Sequence, residues 1–521
     1  MYADLSISAG TLSAFGKQPK ALKGIQRGVE KESLRVTMTG ELSQQPHPRS
    51  LGSALTHPHI TTDFSEAQLE LITEVLTTPE LCIAQLDDIH RFVHQGLDDE
   101  LMWCTSMPCL VADDSKIPIG RYGTSNIGAV KSVYREGLAN RYGRLMQTIS
   151  GIHYNFSVPD AFWPVYGGTL NTTATVDQDL QTKTYFSLIR NFRRHSWLLI
   201  YLFGASPAVC RSFARSIPDH GLEMFDEGSL YLPNATSLRM GRLGYQSDAQ
   251  SSLHISYNCL QAYTDSMYEA LTTPYPDYEA MGVKVAGQYR QLNTSLIQIE
   301  NEFYGSIRPK RPIRPGERPL NALRSRGVEY VEVRCLDLNP FLRVGLDEHQ
   351  IRFLDTFLLF CLLADSPPDS PEESAQMRAN QLTIVENGRA PGLTLGGLSR
   401  DRWASDILEA CAPIAALLDQ ANSTDLYSYS LEQQRARVAD ADLTPSARIL
   451  ATMRAQNIPF FRFALNQSIS HKGYFDDHPL AEKNLTHHQQ LVARSLADQS
   501  QIEASDNIDF DTFLKAYLDL Q

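Results

Sequence analysis

Two glutamates are separated by a single residue in the segment GVEKESLRV, residues 28–36. Side chains two positions apart in a β-strand point to the same side of a sheet, so Glu30 and Glu32 would share one face, about 6.5–7 Å apart. A face that meets water tolerates such a pair. A buried face tolerates it only with cations, because an uncompensated buried carboxylate is costly. This segment alone leaves both alternatives open.

Four further segments alternate with the period of a strand and carry polar residues on one face. They are QLELIT (68–73), HYNFS (153–157), LIQIENEF (296–303) and VEYVEVRCL (328–336). Their polar faces carry Glu70, His153, Glu300 with Glu302, and Glu332. We therefore predict half-buried strands whose polar faces repeatedly carry acids.

Helical periods lie between and after these strands. Residues 180–204 predict one long helix, and residues 346–364 predict another. Because strands and helices are interspersed without regular βαβ alternation, we predict an α+β fold around an antiparallel sheet. The Pro-, Ser- and acid-rich stretch 366–374 predicts an exposed connection. It separates a catalytic α+β region, 1–365, from a mainly helical region, 366–521, which we expect to pack on the first as one structural unit.

Charge and composition limit the partners of the chain. Its 521 residues have a formal net charge of −13, which argues against nucleic acid, since nucleic-acid binding relies on a basic surface. The most apolar stretch, residues 197–204, is far shorter than the ~20 residues that span a bilayer, and the N-terminus lacks the pattern of a signal peptide. Eight scattered cysteines without a CxxC pair are typical of reduced thiols. We expect a cytoplasmic protein without nucleic-acid or membrane partners.

The acids of the predicted sheet face indicate a cation site. The set comprises Glu30, Glu32, Asp63, Glu70, Glu300 and Glu332, with His153 beside them. Any single strand acid more often faces water. Several on one face with a histidine require cations, and an oxygen-rich set suits Mg²⁺ or Mn²⁺ better than structural zinc.

Basic residues offer contacts for a carboxylate or a phosphate. Arg334 shares a face with Glu332, Arg239 stands in ATSLRM, and the run IRPKRPIRP, residues 307–315, supplies several more. A fixed guanidinium binds such groups through two hydrogen bonds, although Pro-interrupted basic runs are as often exposed loops. The sequence has no P-loop, GxGxxG, nucleophile-elbow or HExxH motif. A bound nucleotide would therefore be held largely through metal-bridged phosphates.

Seven motifs, in order, closely resemble the proteobacterial type of glutamate–cysteine ligase (γ-glutamylcysteine synthetase). They are ALKGIQRGVEKESLRV, SALTHPHITTDFSEAQLELIT, YREGLANRYGRLMQTISGIHYNFS, YLFGASPAVC, YLPNATSLRM, IQIENEFYGSIRPKR and GVEYVEVRCLDLNPF. A weaker likeness continues through PGLTLG (391–396) and LTPSARIL (443–450), and the residues after 450 match less clearly.

The resemblance implies a glutamine-synthetase-like fold, in which an antiparallel sheet surrounded by helices forms an active-site funnel. It implies that ATP drives the joining of the L-glutamate γ-carboxylate to the L-cysteine amine, with Mg²⁺ or Mn²⁺, as the first step of glutathione synthesis. Position by position, it implies metal ligands at Glu30, Glu32, Asp63, Glu70, His153 and Glu332. It implies a catalytic phosphate contact at Arg334 and glutamate-binding residues at Gln147, Asn155 and Arg239. It implies a cysteine pocket at Phe64, Tyr134, Tyr245 and Tyr304.

The chemistry that follows from this resemblance needs no protein nucleophile. A carboxylate is a poor electrophile, so the expected route is a γ-glutamyl phosphate that the cysteine amine then attacks. Phosphoryl transfer depends on positioning and charge neutralisation more than on covalent help. We expect the enzyme to act as a monomer.

Three other functions stay open on the residues alone. One is an ATP-dependent carboxylate–amine ligase with a different acceptor. Another is a metal-dependent hydrolase, since acids with a histidine also form hydrolytic sites. The third is a non-catalytic metal or amino-acid binding protein.

Overall fold

The computed structural model describes residues 5–108, 110–111, 113–170, 177–215, 217, 220–244, 248–251, 253–314 and 316–520. Its strands are β1 (Gln26–Thr37), β2 (Ile60–Thr62), β3 (Gln68–Ile72), β4 (Glu100–Met102), β5 (Ile152–Ser157), β6 (Ala208–Cys210), β7 (Glu223–Met224), β8 (Ser229–Tyr231), β9 (Lys284–Val285), β10 (Gln288–Tyr289), β11 (Ile307–Lys310), β12 (Tyr330–Leu336), β13 (Thr394–Leu395) and β14 (Leu398–Ser399).

The α-helices of these residues fall into two series. Those before residue 340 are α1 (Ala9–Lys17), α2 (Pro79–Gly96), α3 (Asn126–Tyr142), α4 (Phe162–Gly167), α5 (Gln178–His195), α6 (Trp197–Phe203), α7 (Arg211–Ala214), α8 (Asp248–Ser251), α9 (Leu260–Thr272), α10 (Pro276–Met281) and α11 (Pro319–Arg326). Those after it are α12 (Glu348–Leu363), α13 (Pro371–Asn387), α14 (Arg400–Asn422), α15 (Leu426–Ala439), α16 (Pro445–Gln456), α17 (Phe460–Asp477), α18 (Glu482–Ser505) and α19 (Phe510–Leu518). None of the described helices is long and apolar enough to cross a bilayer.

The principal sheet has seven strands. Six of them lie in the order β11–β12–β5–β1–β3–β2, and β4 pairs with the far end of β1. Every one of these pairs is antiparallel, so the predicted α+β fold around an antiparallel sheet is confirmed. Directly opposed residues of an antiparallel pair share a face. The register sets Glu30 opposite His153, and Glu32 opposite Glu70.

The other face of this sheet is mainly apolar and is covered by helices. Val29, Leu69, Tyr154 and Val331 on that face have no exposed surface. Helix α12 packs against α5, α14 and α15. The predicted helix over 346–364 is confirmed, but it is buried on all sides from Gln350 to Leu363. The sheet is therefore held by a core on one side, which leaves the acid face available for a ligand site.

Two of the predicted elements are wrong in detail. The helix predicted over 180–204 is two helices, because Ser196 both ends α5 and begins α6. The strand predicted over 296–303 does not form, and its acids lie in a 3₁₀ turn, Glu300–Glu302.

The acids of that turn are held by partners of their own. Glu300 Oε2 accepts a hydrogen bond from Arg318 Nη2 at 2.7 Å, and Glu302 Oε1 accepts one from Arg141 Nη1 at 3.1 Å. An arginine satisfies each buried carboxylate, so neither needs a metal ion. Glu300 therefore does not belong to the acid face of the sheet, contrary to the prediction.

A buried ion pair joins β1 to the helices behind it. Arg27 Nη2 donates to Asp355 Oδ2 at 2.6 Å and to Tyr427 Oη, on α15, at 3.1 Å. Tyr154 Oη, on β5, donates to the other oxygen of Asp355 at 2.6 Å. The side chains of Arg27 and Asp355 are 2% and 0% exposed. This network fixes the central strand against helices from both halves of the chain.

We expect Asp355→Ala to lower the stability of the protein severely. The substitution leaves the Arg27 guanidinium buried without its counter-charge, which typically costs about 3–5 kcal/mol. The matched control is Glu432→Ala, which removes an exposed ion pair with Arg435 and should change stability by about 1 kcal/mol or less. Denaturant midpoints of the variants measure both effects, and an unchanged midpoint for Asp355→Ala would contradict the expectation.

Candidate active site

The acid face of the principal sheet brings together side chains from four strands. One group comprises Glu30 on β1, His153 on β5 and Glu332 on β12. A second comprises Glu32 on β1, Glu70 on β3 and again His153. In each group one donor atom per residue lies within 4.8 Å of the others. The imidazole of His153 is thus shared between two clusters of carboxylates.

The electrostatics of this face fit bound divalent cations. Burial and the nearby Asp63 raise the pKa of Glu32 to about 8, against the opposing effect of Arg239. Burial and the neighbouring acids raise the pKa of Glu70 well above its ordinary value. Both carboxylates therefore resist ionisation unless positive charge is added. Hard oxygen donors with a single imidazole suit Mg²⁺ or Mn²⁺.

His153 has the protonation state and the geometry of a ligand. Burial and the Arg334 charge lower its pKa, which favours the neutral ring that metal binding requires. Its Nδ1 lies 3.3 Å from Glu30 Oε2. Its Nε2 is buried, lies 3.7 Å from Glu32 Oε1 and makes no hydrogen bond to any described residue. A buried ring nitrogen without a hydrogen bond, next to a carboxylate, is the kind of atom that a metal ion would satisfy.

Asp63 stands beside these clusters without belonging to either. It follows β2, and its backbone N–H donates to the Gln68 carbonyl at 3.0 Å. Its charge acts on Glu32 and on Glu70. The role of Asp63 as a metal ligand stays a prediction.

Basic side chains surround Glu332 at the other edge of the face. Its carboxylate accepts from Lys310 Nζ at 3.1 Å and from Arg334 Nη1 at 3.2 Å, and Arg308 Nη1 lies 3.8 Å away. Burial alone would raise the pKa of Glu332, but Lys310 and Arg334 hold it well below its ordinary value. A patch of positive charge therefore adjoins the acid clusters, as binding of a phosphate chain requires.

Lys310 and Arg308 reach this place because the basic run begins as a strand. Residues 307–310 pair with β12, and the register sets Arg308 opposite Glu332. The sequence alone leaves this run as either an exposed loop or a set of phosphate contacts. The alternation of IRPK beside a predicted strand was the signal that could have placed it.

The three residues predicted to bind glutamate have defined contacts. Asn155 Nδ2 donates to Glu30 Oε1 at 2.8 Å, so it lies at the first acid cluster. Arg239 has no exposed surface and donates from Nη2 to the Arg334 carbonyl at 3.0 Å. Gln147 Nε2 donates to Tyr304 Oη at 3.2 Å. Their binding of glutamate stays a prediction.

The four residues predicted to form the cysteine pocket are placed unequally. Tyr134 lies on α3, and Tyr304 follows the Glu300–Glu302 turn. Phe64 is 1% exposed and belongs to an apolar core cluster. Tyr245 lies outside the described residues. The cysteine pocket therefore stays a prediction. The hydrogen bond between Tyr304 and Gln147 supports it, because it sets one predicted pocket residue beside a residue predicted to bind glutamate.

One basic residue near the acids was missed by the sequence reasoning. Arg135 donates from Nε to the Asp63 carbonyl oxygen, and its charge opposes the rise in the pKa of Glu70. It neighbours Tyr134 in the motif YREG. A cation thus reaches the acid face from helix α3 as well as from the sheet.

Comparisons with known proteins identify the family of the chain. A sequence model of the family described as Glutamate-cysteine ligase matches residues 12–384. A Glutamate--cysteine ligase of Pseudomonas putida is 51% identical over 510 residues, 97% of each chain. The crystal structure of a Francisella tularensis glutamate–cysteine ligase in complex with AMP has a TM-score of 0.89 at 35% identity, covering 95% of this chain and 98% of that one. A bifunctional glutathione synthetase from Pasteurella multocida shares the fold, with a TM-score of 0.72 at 22% identity, over 97% of this chain and 60% of that one.

The fold and the site define a ligase with an acidic sheet face next to a basic patch. The matches span nearly the whole chain at high identity. The chain belongs to the glutamate–cysteine ligase family, and it is an enzyme of glutathione biosynthesis.

We expect Gly151→Ala to weaken the site without replacing any of the predicted ligand residues. A Cβ at this position would lie 2.0 Å from Arg239 Nη2, so the guanidinium must move. A misplacement of about 1 Å can cost about 100-fold in rate, so we expect a loss of about tenfold or more. The control is Gly16→Ala in α1, where a Cβ meets nothing within 4 Å. ADP release at varied glutamate measures kcat/KM for both variants, and wild-type values for Gly151→Ala would contradict the expectation.

Proposed function

We propose that this protein joins the γ-carboxylate of L-glutamate to the amine of L-cysteine at the acid face of its sheet, through a γ-glutamyl phosphate formed from ATP. The observation that carries the proposal is the sharing of His153 by two carboxylate clusters next to a patch of three basic side chains. Such a face offers cation sites on one side and phosphate contacts on the other. The family membership of the chain supports the reaction.

The two clusters are the proposed holders of Mg²⁺ or Mn²⁺. Glu30, His153 and Glu332 form one set of ligands, and Glu32 and Glu70 form the other with the same histidine. Asp63 completes the second set from the end of β2. Bound there, the cations would neutralise phosphate oxygens and hold a carboxylate.

The side chains of the protein orient the reactants. Arg334 stabilises the negative charge that develops on the transferring phosphoryl group, and Lys310 with Arg308 adds positive charge along the phosphates. Arg239, Asn155 and Gln147 hold glutamate. Phe64, Tyr134, Tyr245 and Tyr304 enclose the acceptor. Phosphate then leaves after the amine of cysteine has attacked the acyl carbon.

No covalent enzyme intermediate forms in this scheme. The acyl group is activated on phosphate, so the protein supplies positions and charges rather than a nucleophile. Mass spectrometry of a quenched reaction should find the chain neither phosphorylated nor acylated. A modified residue that forms at the rate of turnover would overturn this scheme.

The experiment that tests the function is ADP release from the purified protein. ATP, Mg²⁺ and glutamate are supplied with and without cysteine, and chelation of the metal is a third arm. The proposal expects release that depends on cysteine and on the metal. Product formation without ATP would indicate a hydrolase, and saturable binding without ADP release would indicate a binding protein.

We expect Glu332→Gln to lower kcat by about 100-fold or more, the scale of one lost catalytic electrostatic contact. The change keeps the size of the side chain but removes the charge that both the histidine cluster and the basic patch contact. The matched control is Glu329→Gln, three residues away, whose side chain is 53% exposed and pairs with Arg311. Near-normal kcat with an unchanged demand for Mg²⁺ in Glu332→Gln would contradict the assignment.

We also propose how the protein exists in the cell. The contact of Arg27 with Tyr427 supports residues 1–365 and 366–521 as one structural unit. The described cysteines are free thiols, which supports the reducing cytoplasm. The net charge of −13 supports the absence of a nucleic-acid partner. We expect a monomer without membrane partners, and size-exclusion chromatography with light scattering measures the oligomeric state.

A further inference from the structure

The last helix of the chain packs against the helix that carries Tyr134. Leu514 on α19 is 5% exposed and lies in a small apolar cluster with Val130 on α3 and with Leu292. Tyr134 and Ile299 pack against this cluster from its edge. The C-terminal helix thus contacts both segments from which the proposed cysteine pocket is built.

Hydrogen bonds attach the C-terminal segment to the start of α3. Glu503 Oε1 accepts from the Thr124 backbone N–H at 2.8 Å. Asp506 Oδ2 accepts from the backbone N–H of Asn126, the first residue of α3. Asn126 Nδ2 in turn donates to the Ile508 carbonyl at 3.0 Å. Acids at a helix N-terminus satisfy its free N–H groups and its dipole, so these contacts fix where α3 begins.

A second set of contacts attaches the same segment to the turn before Tyr304. Arg318 Nη1 donates to the Tyr517 carbonyl at 3.1 Å, and its guanidinium lies 5.2 Å from the centre of the Tyr517 ring. The same guanidinium donates from Nη2 to Glu300 Oε2 at 2.7 Å. Glu300 belongs to the turn that ends at Glu302, two residues before Tyr304. A single arginine therefore links α19 to this turn.

The two pocket segments also contact each other directly. Gln298 Nε2 donates to the backbone carbonyl of Tyr134 at 3.2 Å, and its Oε1 accepts from the Leu292 N–H at 2.8 Å. Leu292 is itself in the cluster with Leu514. Leu292 and Gln298 therefore form a continuous chain of contacts between α19 and Tyr134.

We propose that residues 503–518, the C-terminal clamp, hold α3 and the segment 298–304 at a fixed separation and thereby set the width of the acceptor pocket. The clamp positions Tyr134 and Tyr304 and contacts no substrate atom itself. The inference rests on the proposed assignment of these two tyrosines to the pocket. The match to the family sequence model ends at residue 384 and does not include the residues of the clamp.

The test compares the KM for cysteine with the KM for ATP and the KM for glutamate in variants of the full-length enzyme. Leu514→Ala removes the packing of α19 on Val130 and Leu292. It should raise KM for cysteine about threefold or more, a small part of the roughly 10- to 200-fold that one apolar contact can be worth. KM for ATP should stay within about twofold in this variant, because Arg308, Lys310 and Arg334 lie on β11 and β12 of the sheet. KM for glutamate should rise less than KM for cysteine, because Asn155 and Arg239 lie outside α3 and outside the segment 298–304. The preference for cysteine over 2-aminobutyrate should fall in parallel.

Two matched variants separate positioning from simple loss of structure. Lys515→Ala alters the exposed neighbour on the same helix and should leave every constant unchanged. Leu514→Met restores apolar volume and should restore KM for cysteine. Unfolding midpoints are measured for all the variants beside the kinetics.

Each outcome decides the proposal. An unchanged KM for cysteine in Leu514→Ala overturns it, as does an equal rise of all three Michaelis constants. Tyr134→Phe and Tyr304→Phe are measured in parallel. An effect of the tyrosine variants without one of Leu514→Ala overturns the clamp alone. If neither tyrosine variant alters KM for cysteine, the pocket assignment fails, and the clamp proposal fails with it.

Discussion

The pairing of β1 on both of its sides determines the rest of this molecule. One neighbour of β1 supplies His153 and Asn155, and the other supplies Glu70. Because the period of a strand is two residues, a slip of one residue would turn every one of these side chains into the apolar core. Val29 and Tyr154, which have no exposed surface, resist that slip from the other face. The core thus specifies the active-site face by excluding the alternative register.

Charge on that face is arranged as a gradient rather than as a set of isolated pairs. At one edge Glu32 and Glu70 lack sufficient positive charge, and their pKa values rise. At the other edge Glu332 has three basic neighbours, and its pKa falls. His153 lies between the two and contacts both. A substrate that carries negative phosphates and a carboxylate can therefore meet cations and guanidinium groups side by side.

The sequence predicted the sheet and most of its acids, but not the partners of every charge. Glu30, Glu32, Glu70 and Glu332 were correctly placed on strands because their neighbours alternate between polar and apolar. Glu300 shows the same alternation, yet it lies in a turn. Its carboxylate pairs with Arg318, and no local sequence pattern connects the two residues. The sharing of His153 depends on the register of the strands. The two-residue alternation of a strand predicts which face of the sheet a side chain lies on, but it does not predict which residue of the next strand lies opposite.

The buried pair of Arg27 and Asp355 has a consequence for how the chain is synthesised. The two residues lie 328 positions apart, and Tyr427, the next partner of Arg27, lies 400 positions away. On the ribosome Asp355, the counter-charge of Arg27, is made only after synthesis has advanced 328 positions beyond the arginine. Until then the guanidinium stays in water, because its burial alone is prohibitively costly. The central strand therefore completes its packing late, once α12 and then α15 have been made.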